Sequence, residues 1–122
     1  MPGGRPARMR LFDILDSIAG IDRVASEARA RGEKPSPENW RAIERWLEII
    51  SEASRHVPDE MKVQESDIPW RQVADLGNVI RHNYDRVDVA TLNEIVEDSL
   101  PPLKAAAERL YQACKFPADP WP

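Results

Sequence analysis

At 122 residues, with 17 basic and 21 acidic side chains and a formal charge of −4, the chain is sized for one domain with a single modest core. Its apolar content of 42% and charged content of 31% are those of a globular protein, and no apolar run reaches the length of a membrane span. The acidic balance excludes a protein that coats nucleic acid through bulk positive charge, but leaves room for a local, salt-sensitive site that handles RNA.

The opening Met1-Pro2-Gly3-Gly4-Arg5-Pro6-Ala7-Arg8 lacks the apolar core of a signal peptide and reads as a flexible basic leader over residues 1–9. A single cysteine, Cys114, forms no intrachain disulfide, which fits a reducing, cytoplasmic setting. The first helix is expected from about Arg10 to Ala30, with Leu11, Ile14, Leu15, Ile18, Ile21, Ala25 and Ala28 recurring at three and four. A charged loop around Gly32 and Pro35 ends it. Ser36 is then placed to N-cap a second helix with Pro37 at its first position. That helix carries Trp40, Ile43, Leu47, Ile50, Ser54 and Val57 on one face, Trp46 at its flank, and Arg41, Glu44, Arg45, Glu48 and Arg55 toward water. Trp40 and Trp46 are read as core and dimer-edge residues, and His56 as a cation at the helix's carboxyl end, where the dipole favours it.

Val57-Pro58 closes the second helix, and a polar connection leads to Asp67. A third helix, from about Pro69 to Asn83, buries Val73, Leu76 and Ile80. A fourth begins near Asp88 and carries Leu92, Ile95, Val96, Leu100, Leu103, Ala107, Leu110 and Cys114 on one stripe. Pro101-Pro102 must kink or split it. The bundle is thus expected over residues 10–115, followed by an extended Pro-rich tail at 116–122. The fold class is all-α, an antiparallel bundle of four or five helices.

Chemistry concentrates on the third helix. Arg71, Asp75, Asn78 and His82 form a three-and-four row, flanked by Arg81 and Asp85 and turned away from Val73, Leu76 and Ile80. Such a row commonly just faces water. Here, though, it holds an imidazole that exchanges protons near neutral pH beside a guanidinium able to hold phosphate charge. No His, Cys and carboxylate set has metal-ligand spacing, so no metal and no cofactor are expected. Trp70 has two readings: packing the helix end or lining the groove. Tyr84 also has two, a half-buried packing residue if the helix continues, or a residue turned into the groove if the helix stops at Asn83.

The blocks Arg45-Trp46-Leu47-Glu48-Ile49-Ile50-Ser51-Glu52-Ala53, Ile68-Pro69-Trp70-Arg71, Asn78 through His82-Asn83-Tyr84, and Ile95-Val96 through Leu100-Pro101-Pro102-Leu103, in that order, resemble the HepT-like proteins. These are HEPN-superfamily toxins paired with a minimal nucleotidyltransferase antitoxin. The resemblance runs from Leu11 to Leu110 and implies a HEPN-type bundle that dimerises and cuts RNA without a metal, in a groove at the homodimer interface. The family motif is an arginine, four to six residues, then a histidine, with a tyrosine two positions beyond. His82 and Tyr84 match it, and Asn78 matches the polar residue that often follows the arginine. Gly77 stands where the arginine is most often found, so Arg81 or Arg71 would have to supply the charge.

The resemblance accordingly implies His82 as the proton-transfer group, Arg81 as the stabiliser of phosphorane charge and Asn78 as the residue orienting the phosphate, supported by Arg71, Asp75 and Trp70. It also implies Tyr84 as a site where the antitoxin attaches AMP. The competing expectation is a degenerate, non-catalytic member, a helical adaptor or nucleotide-binding partner of a nucleotidyltransferase, and Gly77 is the residue that favours it.

Overall fold

The computed structural model describes residues 6–82 and 89–114, with the side chains of residues 81 and 82 outside that description. Among the described residues all regular structure is helical. The elements are α1 (Ala7–Ala30), α2 (Pro37–Arg55), α3 (Asp59–Gln64), α4 (Trp70–His82), α5 (Val89–Glu94), a π-helical turn (Ile95–Ser99) and α6 (Leu100–Cys114). This is the all-α bundle that the periodicity leads one to expect, and it is consistent with the HEPN type that the resemblance implies.

Helix α1 starts at Ala7, three residues before the expected Arg10 and inside the basic leader. The carbonyl of Pro6 accepts from the N–H groups of Met9 and Arg10 at 2.9 and 3.2 Å, which closes the first turn early. At the other end Gly32 takes φ +69°, the left-handed conformation that glycine tolerates best. The Gly32 N–H then donates to Arg29 and the Glu33 N–H to Ala28, at 2.9 and 2.8 Å. These two bonds satisfy the last carbonyls and form a Schellman stop. Helix α2 begins as its sequence dictates, with Ser36 Oγ accepting from the Asn39 N–H at 3.1 Å and Pro37 at the first position.

The polar connection after Val57-Pro58 contains a short helix, α3, that hydrophobic periodicity does not reveal. None of its residues is buried, so it carries no apolar stripe. Pro58 at its N-cap and Asp59 and Glu60 in its first turn suit the local backbone and the helix dipole. The prolines of the last helix have a specific consequence. The Leu100 N–H reaches back five residues to the Ile95 carbonyl, so the chain widens into a π turn just before Pro101-Pro102. The two prolines then fall in the first turn of α6, where their missing N–H groups do least harm.

Helix α1 lies between α2 and α6, and α2 in turn packs against α4. Leu11, Ile14, Ile18 and Ile21 of α1 meet Ile43, Leu47 and Ile50 of α2 and Leu103, Ala106, Leu110 and Tyr111 of α6, all of them buried. Each large aliphatic chain taken wholly out of water contributes roughly 1.5–3 kcal/mol before entropy is counted. Trp46 closes the α1–α2 seam by lying against Gly20, where a Cβ would come within 2.6 Å of the indole ring. No helix among the described residues is long and apolar enough to cross a membrane.

Candidate active-site face of α4

Helix α4 is set in place from both ends of its first three turns. At its start, the indole Nε1–H of buried Trp70 donates to the Glu65 carbonyl at 3.1 Å. The Glu65 carboxylate meanwhile accepts two bonds from Arg109 of α6, at 2.9 and 2.7 Å. Hydrogen bonding from Arg109 holds the Glu65 carboxyl below the usual carboxylate range. Trp70 therefore anchors the helix start, with the Lys62 ammonium 5.9 Å from its ring centroid.

Further along, α2 clasps the α4 backbone. Ser51 Oγ–H donates to the Ala74 carbonyl at 2.7 Å and accepts from the Gly77 N–H at 2.9 Å. Arg55, one turn on, donates Nε–H and Nη2–H to that same Ala74 carbonyl at 3.0 and 2.8 Å. Gly77 is buried in this seam. The position at which the resemblance led one to expect an arginine is thus one where α4's backbone meets a side chain of α2. Ser54, the other buried serine beside it, bonds to the Ser51 carbonyl at 2.7 Å, so both hydroxyls that interrupt the apolar face of α2 are satisfied.

The outward row on α4 has the arrangement its spacing predicts. Arg71 and Asp75 are exposed, Asn78 is half-buried, and Asn78 Nδ2–H donates to Asp75 Oδ1 at 3.2 Å. His82 is the last residue of α4, and three-and-four spacing continues the row to its position. The side chains of Arg81 and His82, and the whole of Tyr84 and Asp85, lie outside the described residues. Of the predicted site, the structure therefore places Arg71, Asp75, Asn78 and Trp70. It brings Asp75 and Asn78 together and sets Trp70 into the helix-start packing.

One residue of this face escapes sequence reasoning. Arg55 belongs by spacing to the wet side of α2, yet it turns onto Ala74 and lines a shallow depression with Arg71, Gln72 and Asp75. The sequence signal for it is slight: Ser51 and Arg55 lie four apart beside an otherwise apolar face, the spacing of one helix row.

A second cleft, of about 360 Å³, separates the first turns of α4 from the π turn and α6. Ile68, Val73, Leu76, Ile95 and Leu103 form its walls. This opening is why Val73 and Leu76, expected in the core, are only partly buried while Ile80 is fully inside. His56 caps α2 instead of joining the α4 row. Its Nε2 is 3.0 Å from Glu52 Oε2, and that hydrogen bond keeps the Glu52 carboxyl below its ordinary range. Among the described residues no three His, Cys, Asp or Glu side chains gather into a metal-binding group.

A protein of Thermococcus cleftensis named a probable ribonuclease HepT is 34% identical over 100 residues, covering 82% of this chain and 91% of its own length. Two proteins of Methanocaldococcus jannaschii named as candidate RNases are 28% and 29% identical, over 85% and 88% of this chain and 95% and 89% of theirs. No solved structure gives a significant match. The family model described as "Ribonuclease HepT-like" matches residues 14–110, a span that takes in α2, α4 and the clasp between them. The chain belongs to the HepT-like ribonuclease family.

Proposed function

We propose that this protein is a metal-independent endoribonuclease toxin, active as a homodimer and neutralised by a minimal nucleotidyltransferase antitoxin. The observation that carries this reading is the family match over residues 14–110, joined to the polar row that ends at His82. His82 takes the proton of a ribose 2′-hydroxyl, and the freed oxygen attacks the adjacent phosphorus. A second His82, brought by the partner protomer, protonates the departing 5′-oxygen. The products are a 2′,3′-cyclic phosphate and a 5′-hydroxyl, and water is not consumed. Asn78, braced by Asp75, orients the phosphate, and Arg81 offsets the charge that builds on its oxygens. Tyr84 is the residue on which the antitoxin would place AMP. Two copies of α4 side by side would couple the titration of the two imidazoles.

A second reading, the non-catalytic helical adaptor, is favoured by one observation. Gly77 is buried and its N–H is bonded to Ser51, so the place of the motif arginine is given over to packing. Cleavage of RNA in EDTA by wild type and by a folded H82A variant separates the two. Loss of cleavage in H82A supports the enzyme, and absence of cleavage by wild type across varied RNAs supports the adaptor.

A further inference from the structure

The motif cation missing at Gly77 directs attention to the other guanidiniums near α4, and two of them share one surface. Arg55 from α2 and Arg71 from α4 both line the depression that Gln72, Ala74 and Asp75 complete. Arg55 is not a loose surface arginine, because Nε and Nη2 are both pinned to the Ala74 carbonyl, at 3.0 and 2.8 Å. A guanidinium has five N–H donors in a planar fork. Two are used on Ala74, which leaves the remaining edge pre-oriented and open to solvent. Among the described residues neither Arg55 nor Arg71 has a carboxylate at ion-pairing distance. Asp75 is the acidic member of the depression, and its Oδ1 is occupied by Asn78. Two guanidiniums against one carboxylate leave the depression with one net positive charge.

We infer that Arg55 and Arg71 together form a seat for a backbone phosphate of single-stranded RNA, about two to three helical turns before His82. This inference rests on the ribonuclease reading and gives it a substrate-holding residue on α2. The eight steps along the helix from Ala74 to His82 span about 12 Å at about 1.5 Å each. Stacked nucleotides advance by about 3.4 Å, so the seated phosphate lies a few nucleotides from the one being cut. Such a contact secures the strand by charge and does not read bases. The planar fork at Arg55 suits the phosphate geometrically as well as electrically.

The test uses the H82A full-length protein, so that RNA is bound and not consumed, and a short fluorescein-labelled single-stranded RNA. Affinity is measured by anisotropy over a range of KCl concentrations. Emptying a seat for one phosphate should flatten the plot of log affinity against log salt by about 0.7. The double variant R55Q/R71Q is expected to lower the slope by that amount and R55Q and R71Q each by part of it, with affinity of the double variant reduced about fivefold at moderate salt. R55K, which keeps the charge, should retain the slope. R45Q, on a different face of α2, should leave it unchanged. Because R55Q also removes the bonds to Ala74, its fold is checked by circular dichroism, and R71Q with R55K decides the matter if R55Q does not fold. An unchanged slope in folded R71Q and R55Q/R71Q overturns the seat, and would mean that the depression serves an acidic protein partner or nothing. If wild type nevertheless cuts RNA, the ribonuclease reading survives that result. If H82A binds no RNA and wild type cuts none, the ribonuclease reading fails and the seat falls with it.

Discussion

Against α1, helix α2 lays the flat ring of Trp46 on Gly20. Against α4 it offers the Ser51 hydroxyl and the Arg55 guanidinium. The first seam is dry and set by shape, while the second runs through hydrogen bonds to one carbonyl and one N–H of the α4 backbone. Shape-set contacts of the first kind make the bundle rigid, since close-packed interiors yield little. The polar seam does something else. It fixes the height and rotation of α4 relative to α2, and with them the direction in which Arg71, Asp75 and Asn78 face. The two seams therefore serve different links of the chain from sequence to function, stability on one side and site geometry on the other.

The largest expected effect on stability comes from breaking the polar seam. Ser51→Ala deletes the hydroxyl that serves both Ala74 and Gly77 in a buried setting, and should cost about 1–2 kcal/mol. Urea unfolding followed by circular dichroism measures it. If catalysis depends on the placement of α4, RNA cleavage by Ser51→Ala should fall further than its folded fraction does.

Gly20→Ala sharpens the contrast from the dry side. In an exposed helix interior the exchange stabilises by about 1 kcal/mol through propensity. Here the new methyl would stand 2.6 Å from the Trp46 ring, and overpacking of that kind costs about 1–3 kcal/mol. The expected net result is a destabilisation of about 1 kcal/mol, with cleavage by the folded fraction unchanged. A stabilised Gly20→Ala would mean that the ring moves away freely and that the seam is not set by shape.

The smallest effect concerns the anchor at the start of α4. Glu65 has its carboxyl held below the ordinary value of 4.5 by Arg109. A depressed folded-state value means that the ionised form is favoured by folding. The stabilisation is therefore present above about pH 4.5 and is lost as pH falls through the lower folded-state value. Glu65→Gln should lower the urea midpoint slightly at pH 7, and the gap to wild type should close under acid. The Arg109 end of the pair is exposed, so solvent keeps this effect small.

Much of the fold could be read from local rules. The Ser36 cap, the stop at Gly32, the stripes of α1 and α2 and the disturbance at Pro101-Pro102 all follow from residues a few positions apart. The form of that disturbance, a π turn ahead of the prolines, does not, because a kink, a split and a widened turn all accommodate the same missing donors. Helix α3 was hidden for a different reason, since a helix that buries nothing leaves no periodic trace. At the candidate site, the row Arg71–Asp75–Asn78 was legible from spacing. Arg55 was not, as its partner Ala74 is 19 residues away and an arginine on a wet helix face gives no sign of which backbone it will meet. Gly77 reads in sequence as a missing arginine, and in the structure as a point of contact with Ser51.

The most direct test of the central claim is the chemistry of the cut. RNA is incubated with wild type and H82A in EDTA, and the termini of the products are determined by mass spectrometry. The account predicts 2′,3′-cyclic phosphate and 5′-hydroxyl ends from wild type and no products from folded H82A. Products with 3′-hydroxyl ends, or equal cleavage by both proteins, would contradict it.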